Sequence, residues 1–88
     1  MKSKNPQVIS LIIPAYKQEK TIYKDITNLK KSLDDLKQPY EIIVVIDGVL
    51  DKTYQQLRKI KTKKLRVFKF DQNQGKGSAI KFGVENAK

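Results

Sequence analysis

The sequence has 88 residues, enough for one small domain, and it contains no cysteine and no histidine. Disulfides, thiolate metal sites and Ser-His-Asp catalysis are therefore excluded within these residues. The formal net charge of +10 attracts polyanions such as nucleotides, nucleic acid or an anionic membrane face. Lysine outnumbers arginine 17 to 2, and because phosphate and base readers lean on arginine, a solvated lysine-rich surface is the simpler interpretation.

The chain opens with residues 1–7, a polar stretch that we predict to be a flexible lead-in to a single domain over residues 8–88. Val8 to Ile13 is a short apolar run, typical of a strand buried on both faces of a parallel sheet. Pro14 cannot donate to a strand ladder, so we expect the strand to end there. The run is too short for a signal peptide or for the roughly 20 residues of a membrane span, which favours a cytoplasmic location.

Helical periodicity follows, in one apolar stripe that steps by four, three, four and three residues. Its members are Ile22, Ile26, Leu29, Leu33 and Leu36. Gln38-Pro39 should end this helix, because a residue before proline avoids the helical region. Glu41 to Ile46 is rich in β-branched residues and predicts a second strand, which runs directly into an Asp47-Gly48 turn.

A short second helix is predicted over residues 53–61, with Thr53 or Asp51 as its cap. Its apolar side consists of Tyr54, Leu57 and Ile60. Leu65 to Phe70 then predicts a third strand, which is half-buried or lies near an edge of the sheet.

A polar loop over residues 71–77 leads into a third helix, predicted over residues 77–87. The side chains expected to face inward are Ile80, Val84 and Ala87. The order β-α-β-α-β-α implies right-handed crossovers and a parallel sheet covered by helices, which is a Rossmann-like α/β three-layer sandwich. A three-stranded sheet leaves an edge uncovered, so self-association through that edge is a further hypothesis.

Ligands of open α/β sheets bind beyond the carboxyl ends of the strands, where three polar loops are expected here. In the first loop Pro14 fixes the backbone, Ala15 lets a flat ring approach, and Tyr16 offers an aromatic face or a hydroxyl. A plain turn between strand and helix is the alternative. In the second loop the carboxylate of Asp47 can accept a base imide N–H or a ribose hydroxyl, or it can open an Asx turn before Gly48.

The third loop reads Asn73-Gln74-Gly75-Lys76-Gly77-Ser78-Ala79. Its glycines and the helix N-terminus that follows suit a phosphate, and Lys76 adds a positive charge. The loop is not a Walker A motif, because Phe70 stands at the first glycine and Gly77 at the hydroxyl residue. A Rossmann fingerprint is excluded as well, because Ile80 stands at its third glycine.

Taken together and in this order, the three motifs resemble family 2 glycosyltransferases, closest to the branch of polyprenyl-phosphate sugar transferases. The resemblance covers residues 8–88 and implies the N-terminal portion of the GT-A fold, which binds a nucleotide-diphosphate sugar, UDP- or GDP-linked, for inverting transfer to an acceptor such as a polyprenyl phosphate or a glycan. It also implies a cytoplasmic face of the membrane as the place of action. The donor nucleotide-binding positions that it implies are Pro14, Ala15, Tyr16, Glu19, Asp47, Lys76 and Gly77.

This sequence departs from the family pattern beside two of those motifs. Lys17 and Gln18 replace an asparagine and an acidic residue, which leaves Glu19 one position late. Ile46 replaces the first of two aspartates, and Val49 replaces a serine. The family holds Mg²⁺ or Mn²⁺ on a D-x-D motif, which we expect just after Lys88, so no catalytic or metal residue is assigned within this chain.

Without that motif and the catalytic base, we expect the chain alone to be inactive, although its family is one of enzymes. Two alternatives stay open. A small basic nucleic-acid-binding module would use the charge of +10, but the lysine bias disfavours it. A non-catalytic fragment that docks to a partner would use the uncovered sheet edge.

Overall fold

The computed structural model describes residues 8–87, apart from the side chain of Lys76, so the lead-in predicted for residues 1–7 lies outside the described residues. Strands and helices alternate in the predicted order. They are β1 (Ile9–Ala15), α1 (Ile22–Asp35), β2 (Tyr40–Asp47), α2 (Thr53–Leu57), β3 (Leu65–Phe70) and α3 (Lys76–Asn86). Over the described part of the chain, no helix has the length and apolar character needed to cross a membrane.

The three strands form one parallel sheet in the order β1-β2-β3. Every residue of β2 is buried, because β2 has a strand on each side and a helical layer on each face. β3 is half-buried, which confirms its predicted place near an edge. β1 was expected to be buried on both faces, but it is also half-buried, since β2 is its one paired neighbour within residues 8–87.

Pro14 lies inside β1, opposite Val45, so the prediction that it ends the strand was wrong by one residue. The N–H of Ile9 donates to the Pro39 carbonyl at 3.0 Å on the β2 side. Successive N–H groups of a strand point to alternate sides, so the nitrogen of Pro14 points to the outer edge. A proline there removes no hydrogen bond of the ladder, and β1 continues to Ala15.

Two apolar layers cover the sheet, which confirms the three-layer sandwich. Ile42, Val44 and Ile46 of β2 pack with α1 and α2 on one face. Ile43 and Val45 pack with α3 on the other face. Successive side chains of a strand alternate between faces, so the apolar run of β2 supplies both layers, each buried side chain contributing roughly 1.5–3 kcal/mol.

Helices α1 and α2 end earlier than the sequence suggests. α1 ends at Asp35, and Lys37 shortly after it has a φ of 57°. Leu36 is 55% exposed, so the prediction that it belongs to the buried stripe was wrong. The other members of the stripe are buried or packed against the core. α2 ends at Leu57 instead of residue 61, yet Ile60 still packs against the core as expected.

The orientation of α3 differs from the prediction. Ile80 and Val84 were expected to face inward, but they are 40% and 60% exposed. Ala79 and Gly83 are buried against the sheet instead, and a methyl group on Gly83 would overlap the Cγ2 of Ile12. These small residues let the helix approach the strands closely. The adjacent space is filled by three aromatic residues, Phe68, Phe70 and Phe82. The ring of Phe82 makes edge-on contacts with those of Phe68 and Phe70, at centroid distances of 5.0 and 5.4 Å.

One buried carboxylate links the three strands and α3. Glu41 of β2 accepts a hydrogen bond from the Ser10 hydroxyl of β1 at 2.6 Å and another from Nη2 of Arg66 in β3 at 3.1 Å. The same Nη2 of Arg66 donates to the Asn86 carbonyl at the end of α3. Burying a carboxylate is costly unless it is paired and hydrogen-bonded, and these contacts meet that condition.

Candidate functional site

The loops at the carboxyl ends of the three strands meet around a cleft of about 190 Å³. Its lining consists of Pro14, Ala15, Tyr16, Asp47, Asn73 and Gly75. Four of the seven predicted donor-binding residues therefore lie together at this edge of the sheet.

One wall of the cleft is apolar and comes from the end of β1. Ala15 is buried, whereas Tyr16 directly after it is 45% exposed. Lys17 has a φ of 51° and turns the chain, which places its Nζ 5.4 Å from the centroid of the Tyr16 ring. A flat ligand entering the cleft could therefore contact an aromatic ring that carries a neighbouring positive charge.

Asp47, at the last position of β2, also lines the cleft. Its side chain is buried, and its carboxylate accepts the backbone N–H of Gln74 at 2.5 Å and that of Gly75 at 2.7 Å. The carboxylate thus holds the third loop instead of opening a local turn at Gly48. A carboxylate has about four acceptor positions, so these two hydrogen bonds do not use all of them.

The third loop is shaped by its own side chain and by a glycine. Asn73 Oδ1 accepts the N–H of Gly75 at 3.0 Å, and Gly75 has a φ of 95°, which other residues rarely adopt. Gly75 then caps α3, and its carbonyl accepts the N–H of Ala79 at 3.2 Å. The free N–H groups of the first turn of α3 give this side of the cleft a positive potential.

Two predicted site residues, Gly77 and Glu19, are not among the residues that line the cleft. Gly77 is exposed in the first turn of α3, with open space where a side chain would be. The side chain of Lys76 lies outside the described residues. Glu19 lies in a separate depression near the start of α1, where its Oε1 accepts the N–H of Lys52 at 2.9 Å.

Sequence reasoning missed the way in which the first and second loops are joined. The buried Thr53 accepts the N–H of Gln18 at 2.8 Å through Oγ1 and donates through the same atom to Asp51 Oδ1 at 2.6 Å. Asp51 also accepts the N–H of Glu19 at 3.3 Å. The sequence predicted Thr53 or Asp51 as the cap of α2, but the N-cap is Lys52 and no side chain caps the helix. Asp51 Oδ1 instead accepts the N–H of Thr53, the first residue of α2, at 2.9 Å.

The contacts around Asp51 also lower the pKa of its carboxyl group. Burial raises the pKa of this carboxyl, but the hydrogen bonds from Thr53 and Glu19, together with the charge of Lys17, outweigh burial and leave the pKa below its usual value. Asp51 therefore stays charged through the neutral range and keeps accepting the hydrogen bonds that join the two loops.

Within the part of the chain that the structure describes, no three Asp or Glu side chains come together as ligands for a metal ion. The cleft places an apolar wall, a carboxylate and a helix N-terminus around one opening, an arrangement that suits binding.

Comparison with known proteins agrees with this arrangement. The model of the family described as glycosyl transferase family 2 matches residues 10–88. The dolichyl-phosphate beta-glucosyltransferase of Dictyostelium discoideum is 33% identical over 96 residues, which cover 96% of this chain and 29% of that protein. The enzyme of the same name from Saccharomyces cerevisiae is 34% identical over 86 residues, which cover 85% of this chain and 25% of that protein.

A bacterial relative has the same extent. The undecaprenyl-phosphate 4-deoxy-4-formamido-L-arabinose transferase of Aeromonas hydrophila is 29% identical, over all of this chain and 28% of its own length. The chain thus spans less than a third of these relatives. The family match over nearly the whole chain, on the loops that form the cleft, confirms the resemblance seen in the motifs: the chain belongs to glycosyl transferase family 2.

Proposed function

We propose that the cleft binds the nucleoside part of a nucleotide-diphosphate sugar, and that the chain is the donor-binding part of a sugar transferase. The observation that carries the proposal is the meeting of Tyr16, Asp47 and Gly75 around one opening at the carboxyl edge of the sheet. Ligands of open parallel sheets bind at this edge.

The size of the cleft limits which part of the donor it takes. Pockets for whole small ligands measure roughly 300–1,000 Å³, and this cleft measures about 190 Å³. A base or a nucleoside therefore fits, with the diphosphate and the sugar lying outside it. The ring of Tyr16 would cover the base, and the free acceptor positions of Asp47 would take an imide N–H or a ribose hydroxyl.

The diphosphate would then extend toward the N-terminus of α3. Backbone N–H groups and the helix dipole favour negative charge there, and the open space at Gly77 lets a phosphate approach the backbone. The role proposed for Lys76 and Gly77 is phosphate binding at this point.

The described residues do not fit the Mg²⁺ or Mn²⁺ expected for the family, because they bring together no set of metal ligands. The metal ligands that the family uses are predicted to lie outside this chain. Glu19 also remains a predicted contact of the nucleotide-sugar donor, although its carboxylate already accepts a hydrogen bond from the backbone N–H of Lys52.

The acceptor proposed for the complete transferase is a polyprenyl phosphate. The names of the Dictyostelium and Aeromonas relatives specify dolichyl phosphate and undecaprenyl phosphate. Such an acceptor would place the reaction at the cytoplasmic face of a membrane. Reaction of the complete protein with polyprenyl phosphate, compared with a soluble glycan, would test this assignment.

Donor binding is tested by saturation-transfer NMR with UDP and GDP on the chain itself. We expect a signal from at least one nucleotide and a severalfold weaker signal after Tyr16→Ala, because the aromatic wall is removed. Tyr23→Ala is the matched control, since Tyr23 is 44% exposed but lies on α1, away from the cleft. The absence of signal from both nucleotides, or an equal loss in both variants, would contradict the proposal.

A further inference from the structure

Residues 52–70 carry eight of the 19 cations of the sequence, while all nine acidic residues lie outside this segment. The segment comprises α2, β3 and the connection between them. Two of its cations are near carboxylates, with Arg66 3.1 Å from Glu41 and Lys64 3.8 Å from Asp34. The other six are exposed, and we call them the basic edge: Lys52, Arg58, Lys59, Lys61, Lys63 and Lys69.

The basic edge belongs to the segment that contains β3, which is the last strand on one side of the sheet within residues 8–87. Its charge is concentrated by Tyr54, whose ring centroid lies 4.2 Å from Lys69 Nζ and 5.6 Å from the Arg58 guanidinium. Cations that contact one ring from different elements are kept close together despite their like charge.

A groove of about 320 Å³ runs between α2 and β3 beside these cations. Its apolar lining includes Leu57, Ile60, Leu65 and Val67, and its rim includes Arg58 and Lys61. The groove is separate from the nucleoside cleft, with which it shares no lining residue.

We propose that the basic edge is a docking surface for an anionic lipid bilayer. A bilayer offers diffuse negative charge, which lysine matches as well as arginine does, whereas base and phosphate readers of nucleic acid favour bidentate arginine. Only one arginine, Arg58, belongs to the basic edge, and Tyr54, its aromatic neighbour, already contacts two cations.

The choice of lipid over other polyanions rests on the proposed function, since a polyprenyl phosphate acceptor would be presented at a membrane surface. The charge segregation itself does not depend on the nucleoside cleft. Each cation near an anionic surface strengthens binding roughly fivefold, so six of them suffice for reversible docking without a spanning helix.

The test is co-sedimentation of the chain, without nucleotide, with vesicles of phosphatidylcholine alone and of phosphatidylcholine mixed with phosphatidylglycerol. We expect binding only to the anionic vesicles, weakening as salt is added, because screening shortens the reach of surface charges. The triple variant Lys59→Gln, Lys61→Gln, Lys63→Gln should bind on the order of tenfold to a hundredfold more weakly.

The matched control is Lys24→Gln, Lys31→Gln, Lys81→Gln, which removes the same charge from exposed positions of α1 and α3. It should retain most of the binding. An equal loss in both triple variants would show a general charge effect and overturn the proposal, as would failure to bind anionic vesicles. Tighter binding to single-stranded DNA than to the vesicles at the same salt would overturn it in favour of nucleic acid. None of these outcomes depends on UDP or GDP binding, so the two proposals fail separately.

Discussion

Thr53 illustrates how single side chains position the cleft without lining it. Its hydroxyl is buried, accepts the N–H of Gln18 and donates to Asp51. The first loop is therefore attached to the start of α2. Tyr16 lies between two fixed points of the chain, the end of β1 at Ala15 and the hydrogen bond of Gln18 to Thr53. The sequence could suggest Thr53 as a helix cap, but the contact with Gln18 joins residues that are 35 positions apart and cannot be inferred from local spacing.

Thr53→Val tests this role at the residue scale. Valine keeps the shape but leaves the N–H of Gln18 without its partner, so we expect a loss of roughly 1–3 kcal/mol in the free energy of unfolding. Urea denaturation measures it. Thr27→Val is the control, because the hydroxyl of Thr27 donates to the Tyr23 carbonyl within the exposed side of α1. A loss at Thr27 equal to that at Thr53 would contradict the argument.

At the scale of elements, α3 shows where the hydrophobic pattern is ambiguous. Ile80 and Val84 fit a helical stripe as well as Ala79 and Gly83 do, and the larger side chains suggested the wrong face. Close packing on Ile12 decides the orientation, because the small pair brings the helix nearer to the strands. The stripe of α1 was predictable, since only one of its faces is apolar.

Gly83→Ala and Gly77→Ala should change stability in opposite directions. A methyl group at Gly83 would overlap Ile12, and overpacking costs roughly 1–3 kcal/mol. Gly77 has open space around it, so alanine should gain up to about 1 kcal/mol from helix propensity. The two unfolding free energies, measured in urea, check the assignment. Stabilisation at Gly83 would show that α3 packs differently.

At the scale of the whole molecule, the two outer strands differ in charge. β1 carries no charged residue from Ile9 to Ala15, whereas Arg66 and Lys69 lie in β3 and the basic edge surrounds it. Lysine on an edge strand opposes pairing with another sheet. The hypothesis of self-association therefore applies to β1, and the ladder would be short because Pro14 has no N–H to offer.

We expect a weak dimer that strengthens with added salt, because the net charge of +10 repels a second copy at low ionic strength. Sedimentation equilibrium measures it. Val8→Lys adds charge beside β1 and should weaken the dimer severalfold, while Val84→Lys, on the exposed face of α3, should leave it unchanged. A greater effect at Val84 would place the contact on α3, and a monomer at all salt concentrations would reject the hypothesis.

The order of the strands and helices, the burial of β2 and the three loops at one edge followed from the sequence, because periodicity and turn residues act over a few positions. The tertiary structure alone decided the face of α3, the hold of Asp47 on the third loop and the separation of Glu19 from the cleft. Each of these features depends on contacts between segments that are distant in the sequence. The shape of the packed surfaces and the hydrogen-bond geometry decide these contacts once the sheet has formed, so they cannot be predicted from a local sequence pattern.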